Sequence, residues 1–160
     1  GLGKGNPIVR VMPNTPALVG KGASGYSLGA GVTAAQREFV AHFLAATGAA
    51  IEVPESLQDT VTATSGSGPA YFFAFVEAMV EGAVELGLSH EDATLLTIQT
   101  IVGAAALLDQ SGDSPTTLRE KVTSPNGTTA AALASFGDSG LKEIVAKAMA
   151  AAAKRSQELA

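Results

Sequence analysis

The stretch from Pro69 to Leu86 constrains this chain most. Phe72, Phe73, Phe75, Val76, Met79, Val80 and Val84 spread over more than one face of any helix formed there. A helix that is apolar most of the way round is buried, among other helices or between subunits. Pro69 occupies a favoured first-turn position for such a helix, and Gly87 lies just beyond its end. The fold must therefore supply apolar cover on several sides. Alanine and glycine are abundant and aromatics make up only 5% of the chain. Helices built from such residues approach one another closely, as in a tight bundle or an intertwined dimer.

The chain changes character near Pro54. Before it, Ile8 to Met12 is a β-rich run stopped by Pro13, whose ring keeps Met12 extended. Ala23 to Ser27 is a weaker strand between glycines, and Ala50 to Val53 a last short one. Between these two, Thr33 to Gln36 is a capping box that opens a helix, with Gly48 as its stop. Phe39, Val40, Phe43 and Leu44 form a stripe that should pack on the sheet. After Pro54 the punctuation is helical. Ser56 to Asp59 caps a short helix ending before Ser65. The Pro69 helix follows, then a long one from Ser89 to near Asp109. A shorter helix runs from Ser114 to Val122, Thr123 to Thr129 is a turn, a short helix then runs to Phe136, and Asp138 or Ser139 caps the last.

Three short strands and one helix bury little surface by themselves. Residues 1–54 thus read as the trailing part of an α/β domain, and residues 55–160 as an all-helical domain. With 46% apolar residues the chain has material for a core and is no disordered tail. Its net charge of −5 gives no electrostatic ground for a nucleic acid or an anionic membrane as partner. The lack of Cys excludes disulfides, thiolate metal sites and a cysteine nucleophile, and suits a reducing cytosol. No signal peptide is visible, and the uncharged stretch from Ala93 to Leu108 is too short for a bilayer. A soluble cytoplasmic protein is expected.

Gly1 to Gly5 is glycine-rich, yet a strand follows it and none precedes it, so a flexible leader accounts for it better than a phosphate loop. His42 and His90 each lack companions at metal-ligand spacing, so no metal is expected. Three turns carry more chemistry. Met12-Pro13-Asn14-Thr15-Pro16 follows a buried-looking strand, at the carboxyl end where α/β sheets bind ligands. In Ser65-Gly66-Ser67-Gly68-Pro69 two glycines allow close approach of the backbone, and the N–H groups of the helix turn that follows can receive an anion or polar group. Ser124-Pro125-Asn126-Gly127-Thr128-Thr129 converges hydroxyls and free N–H groups at the start of an Ala-rich helix, which suits a carboxylate. Taken singly, each turn has an ordinary alternative as a connection or a helix cap.

Together they resemble one family. The segments 10–17, 62–71 and 118–129, with Met12-Pro13-Asn14-Thr15-Pro16, Ser65-Gly66-Ser67-Gly68-Pro69-Ala70-Tyr71 and Ser124-Pro125-Asn126-Gly127-Thr128-Thr129, are similar in order and spacing to pyrroline-5-carboxylate reductases. Asn126 departs from a second glycine common in that family, and Asn tolerates the left-handed backbone such a turn needs. The resemblance implies a mainly α fold. Its helical dimerisation domain, similar to the carboxyl-terminal domain of 6-phosphogluconate dehydrogenase, follows the last strands and helix of a truncated Rossmann domain. It implies reduction of 1-pyrroline-5-carboxylate to L-proline by NADPH or NADH, with this chain a carboxyl-terminal part that is inactive alone. It also implies a homodimer or a larger homo-oligomer. Ser124, Asn126, Gly127, Thr128 and Thr129 would bind the substrate, and Thr129 would serve catalysis beside the ring nitrogen. Met12, Pro13, Asn14 and Pro69 would lie on the cofactor side. The other readings are a non-catalytic helical dimerisation module and the helical domain of an enzyme related to hydroxyacid dehydrogenases. The latter usually bring a catalytic Lys, and the Ser124 turn argues against them.

Overall fold

The computed structural model describes residues 5–159, so the glycine-rich leader up to Lys4 lies outside the described residues. Pro13 ends the first strand where the sequence places its stop. β1 (Val9–Met12) runs antiparallel to β2 (Gly22–Leu28), with Val9 opposite Leu28 and Met12 opposite Gly25. A 3-10 turn at Thr15–Val19 joins them. α1 (Ala34–Ala45) then carries the chain to β3 (Gly48–Glu52), which lies parallel to β2 with Gly22 opposite Gly48. This strand–helix–strand crossover is how parallel neighbours are joined.

The order β1-β2-β3 places β2 in the middle. The sequence marks β2 as the weak strand, yet it is the longest and most buried of the three, with Ser24, Tyr26 and Ser27 all inside. Pairing on both edges outweighs its poor local propensity. The capping box of α1 forms as expected. The Thr33 side chain accepts from the Gln36 N–H, and the Gln36 side chain accepts from the Thr33 N–H. The apolar stripe of α1 does not pack on the sheet as a whole. Leu44 is buried, whereas Phe39 is 70% and Phe43 63% exposed. Their rings instead stack on each other, centroids 6.2 Å apart.

Ser56 does not cap the next helix. A 3-10 turn at Glu55–Leu57 leads into the short α2 (Gln58–Val61) and a π turn at Thr62–Gly66, with no side-chain cap bond at either start. Packing on β2 explains the shift. Gln58 is 1% exposed and donates from Nε2 to the Ser27 hydroxyl at 2.6 Å, and Ser27 donates onward to the Val53 carbonyl at 2.8 Å. Val61 lies so close over Gly25 that a Cβ there would come within 2.6 Å of its Cγ1.

Five helices follow. They are α3 (Gly68–Glu85), α4 (His90–Gln110), α5 (Pro115–Lys121), α6 (Thr128–Asp138) and α7 (Leu141–Leu159). Ser89 and Ser114 cap α4 and α5 by accepting from the Asp92 and Thr117 N–H groups. The expected cap of α7 is displaced. Asp138 is the last residue of α6 and Ser139 its C-cap, while Gly140, at φ 73, makes the reversal into α7. The chain is thus mainly α, with a small mixed sheet at its start.

Two compact units result, one running up to Tyr71 and including Ala146 onward, the other spanning Phe72–Val145. The first extends past residue 54 because α2 and the π turn pack on β2. Ser156 of α7 adds to it by donating to Asp59 at 2.6 Å. In the second unit, Val80, Ala93 and Thr97 are the buried residues among those described. Phe72 is 61% and Phe73 63% exposed, and Leu95, Leu96 and Val102 of α4 are also exposed. The expectation that α3 is buried is therefore not met within one chain, which leaves its apolar surface uncovered. α4 is 21 residues long and an 18-residue window within it has mean hydropathy 1.3, long and apolar enough by length and composition alone to cross a membrane, while the uncharged stretch Ala93 to Leu108 is shorter.

Candidate substrate turn and cofactor corner

The turn before α6 is built by its backbone. After α5, the Thr123 hydroxyl donates to the Arg119 carbonyl at 2.6 Å, and the Gly127 N–H donates to the Ser124 carbonyl at 3.0 Å. Asn126, with φ 58, is the residue other than glycine that takes positive φ among those described. Asn accepts this conformation at low cost, as its place in the turn requires. Gly127 is the N-cap of α6, in extended conformation and without a side-chain cap bond. A Cβ at Gly127 would collide with the Ser124 hydroxyl oxygen, so that hydroxyl sits directly against the start of the helix.

The Ala131 N–H is taken by the Gly127 carbonyl at 3.1 Å. The N–H groups of Thr128, Thr129 and Ala130 precede it and have no partner within the helix. The hydroxyls of Ser124, Thr128 and Thr129 make no hydrogen bond among the described residues. Thr129 is half-buried, while Ser124 and Thr128 are exposed. Three free N–H groups, three free hydroxyls and the positive end of a helix dipole converge here. Such a place receives a carboxylate. An ordinary hydroxyl N-cap does not account for it, because no hydroxyl caps this helix. Beside it, a groove of about 540 Å³ between α5, α6 and α7 is lined by Arg119, Thr123, Leu133, Phe136 and Leu141, and not by residues 124–129.

The residues assigned to the cofactor side lie in the other unit. The half-buried Met12 presses its methyl group against Gly66, where a Cβ would come within 2.6 Å of it. Pro13 is exposed, and Pro69 sits half-buried in the first turn of α3. Asn14 is tied into the scaffold at both ends of its amide. The Ala23 N–H donates to its Oδ1 at 2.9 Å, and its Nδ2 donates to the Ser65 carbonyl at 3.1 Å. One N–H of Asn14 remains for a ligand. The structure thus joins Met12, Asn14 and the 65–69 turn. Sequence reasoning gave no role to Tyr71, whose hydroxyl donates to the Ala63 carbonyl at 3.0 Å. Its place inside the matched 62–71 segment was the signal available. Among the described residues no group of three or more His, Cys, Asp or Glu side chains could hold a metal.

The family model described as pyrroline-5-carboxylate reductase dimerisation matches residues 55–159. The chain belongs to the pyrroline-5-carboxylate reductase family. The pyrroline-5-carboxylate reductase of Pseudomonas aeruginosa is 51% identical over 160 residues, which cover 99% of this chain and 59% of that protein. That of Arabidopsis thaliana is 44% identical over 151 residues, 94% of this chain and 55% of the plant protein. Among solved structures, the pyrroline-5-carboxylate reductase of Coxiella burnetii superimposes with a TM-score of 0.95 at 42% identity, covering 99% of this chain and 59% of that one. The Plasmodium falciparum enzyme, crystallised with NADP bound, gives 0.89 at 36% identity, covering 98% and 63%. The chain therefore spans less than two thirds of the length of these reductases. The superpositions take in the strands as well as the helices. Membership of the pyrroline-5-carboxylate reductase family sets aside a helical domain of the hydroxyacid-dehydrogenase type. The matched dimerisation region contains α3 and α4, whose apolar surfaces are uncovered, together with Pro69 and the Ser124–Thr129 turn.

Proposed function

We propose that the complete protein reduces 1-pyrroline-5-carboxylate to L-proline with NADPH or NADH, the last step of proline biosynthesis, as a cytoplasmic homodimer or larger homo-oligomer. The observation that carries this is the turn before α6, whose N–H groups and hydroxyls are left unspent by the fold. The substrate carboxylate accepts hydrogen bonds from the N–H groups of Thr128 and Thr129 and from the Ser124 hydroxyl. Asn126 and Gly127 give the backbone the shape that brings these donors together. That clamp fixes the ring, and orientation is a large part of what such a reaction needs. Thr129 is the half-buried hydroxyl of the set. It stands at the ring nitrogen, where a donor favours the polarised imine that accepts hydride at its carbon. No strong acid or nucleophile is needed, and neither His42 nor His90 serves.

The nicotinamide cofactor supplies the hydride. Residues at the end of β1 fit its redox end and not the whole dinucleotide. Met12 and Pro13 offer apolar surface, Asn14 keeps one donor, and Pro69 lies in the first turn of α3. A glycine-rich strand-to-helix turn of the kind that holds a pyrophosphate is absent from residues 5–159. A second copy of the chain covers α3 and α4, because exposed apolar patches of this extent mark interfaces. The test is to incubate the complete protein with 1-pyrroline-5-carboxylate and NADPH and to measure proline. Proline should form in step with NADPH consumed. None at all would leave a non-catalytic dimerisation module as the better reading.

A further inference from the structure

Between α2 and α3 the backbone ladder breaks, and side chains repair it. A regular helix would return N–H groups to the carbonyls of Ala63 and Ser65. Here the Ser67 N–H reaches back five residues to the Thr62 carbonyl at 2.8 Å. Pro69, four residues after Ser65, has no N–H to give. The Tyr71 hydroxyl satisfies the Ala63 carbonyl at 3.0 Å, and Asn14 Nδ2 satisfies the Ser65 carbonyl at 3.1 Å. Ala63 is buried, so its carbonyl needs a partner from within the protein. Asn14 is held in turn by the Ala23 N–H, so one side chain ties the end of β1, the start of β2 and the π turn together. π turns interrupt helices at functional sites more often than elsewhere, and they persist only where their surroundings hold them.

We propose that Tyr71 and Asn14 are positioning residues, which fix the π turn and with it the Ser67–Pro69 corner on which the redox end of the nicotinamide cofactor lies. This rests on the reading of the complete protein as an imine reductase. Neither residue acts on the imine. Each sets the backbone against which the hydride donor is placed, and misplacement costs rate more than it costs substrate binding.

The test is made in the complete protein. Tyr71→Phe keeps the ring and removes the hydroxyl. The kcat for 1-pyrroline-5-carboxylate should fall roughly three- to tenfold, the effect of losing one neutral hydrogen bond. KM for the imine should stay unchanged. The deuterium isotope effect on kcat, measured with NADPH labelled at the transferring hydrogen, should rise as hydride transfer slows. A merely structural role would lower thermal stability and leave that isotope effect where it was. Asn14→Asp keeps the acceptor for Ala23 but cannot donate to Ser65; because Asn14 also offers a donor to the cofactor, its readout is amide exchange over residues 62–70, which should quicken, and it carries the test if Tyr71→Phe does not fold. Wild-type kcat and isotope effect in folded Tyr71→Phe, or unchanged exchange in Asn14→Asp, would overturn the proposal. If the wild-type protein itself reduces no imine, the functional reading fails, and amide hydrogen exchange over residues 62–70 decides positioning alone. Faster exchange in Tyr71→Phe would support it, and unchanged exchange would overturn it.

Discussion

Thr129 and Ser124, five positions apart in the chain, differ in setting. Thr129 is half-buried on the first turn of α6, whereas Ser124 is exposed and pressed against Gly127. On the proposed function, Thr129→Ala in the complete protein removes the donor at the reacting nitrogen, so kcat should fall roughly ten- to a thousandfold. On the same proposal Ser124→Ala removes a carboxylate contact present before and during the reaction, so it should raise KM and spare kcat. Steady-state kinetics separate the two, and wild-type values for both would make the turn a mere helix start. Much at this scale is legible in the sequence. Asn126 takes the left-handed backbone that its tolerance allows. What is not legible is the state of each donor. Asn14 looks like a free ligand group in sequence, but its amide is engaged by Ala23 and Ser65, residues brought to it only by the sheet and the π turn.

At the scale of elements, the starts that carry side-chain caps can be read from the sequence. Thr33, Ser89 and Ser114 each accept the N–H three residues on, a contact settled within one turn. Thr33→Ala should lower stability by about 1 kcal/mol, the usual worth of such a cap, and urea unfolding with an unchanged slope would show it. Elements that depend on packing escape the sequence. β2 is central although Gly22 and Gly25 weaken it, and α2 begins at Gln58 because that side chain is drawn in to Ser27. The start of α7 is set by the reversal at Gly140 and not by a polar cap.

At the scale of the whole molecule, the apolar helix read in the sequence is present but bare. The Phe75 ring meets that of Phe136 at a tilt, centroids 6.1 Å apart, yet Phe75 remains 42% exposed. On the proposed function the burial the sequence demanded comes from another copy, which no single-chain pattern displays. Sedimentation should find a dimer or larger species at micromolar concentration, and a monomer would contradict this. Phe75→Asp should dissociate or unfold the assembly by placing a charge in that contact. The chain alone should neither reduce the imine nor bind NADPH measurably, since residues 5–159 hold no pyrophosphate turn. Micromolar binding by calorimetry would refute this. If the fold presents an imine to a hydride, as proposed, the label of that hydride passes to the product. The complete protein, given 1-pyrroline-5-carboxylate and NADPH deuterated at the transferring position, should yield proline with one deuterium at the former imine carbon. Absence of labelled proline from the folded, cofactor-loaded protein would contradict the account.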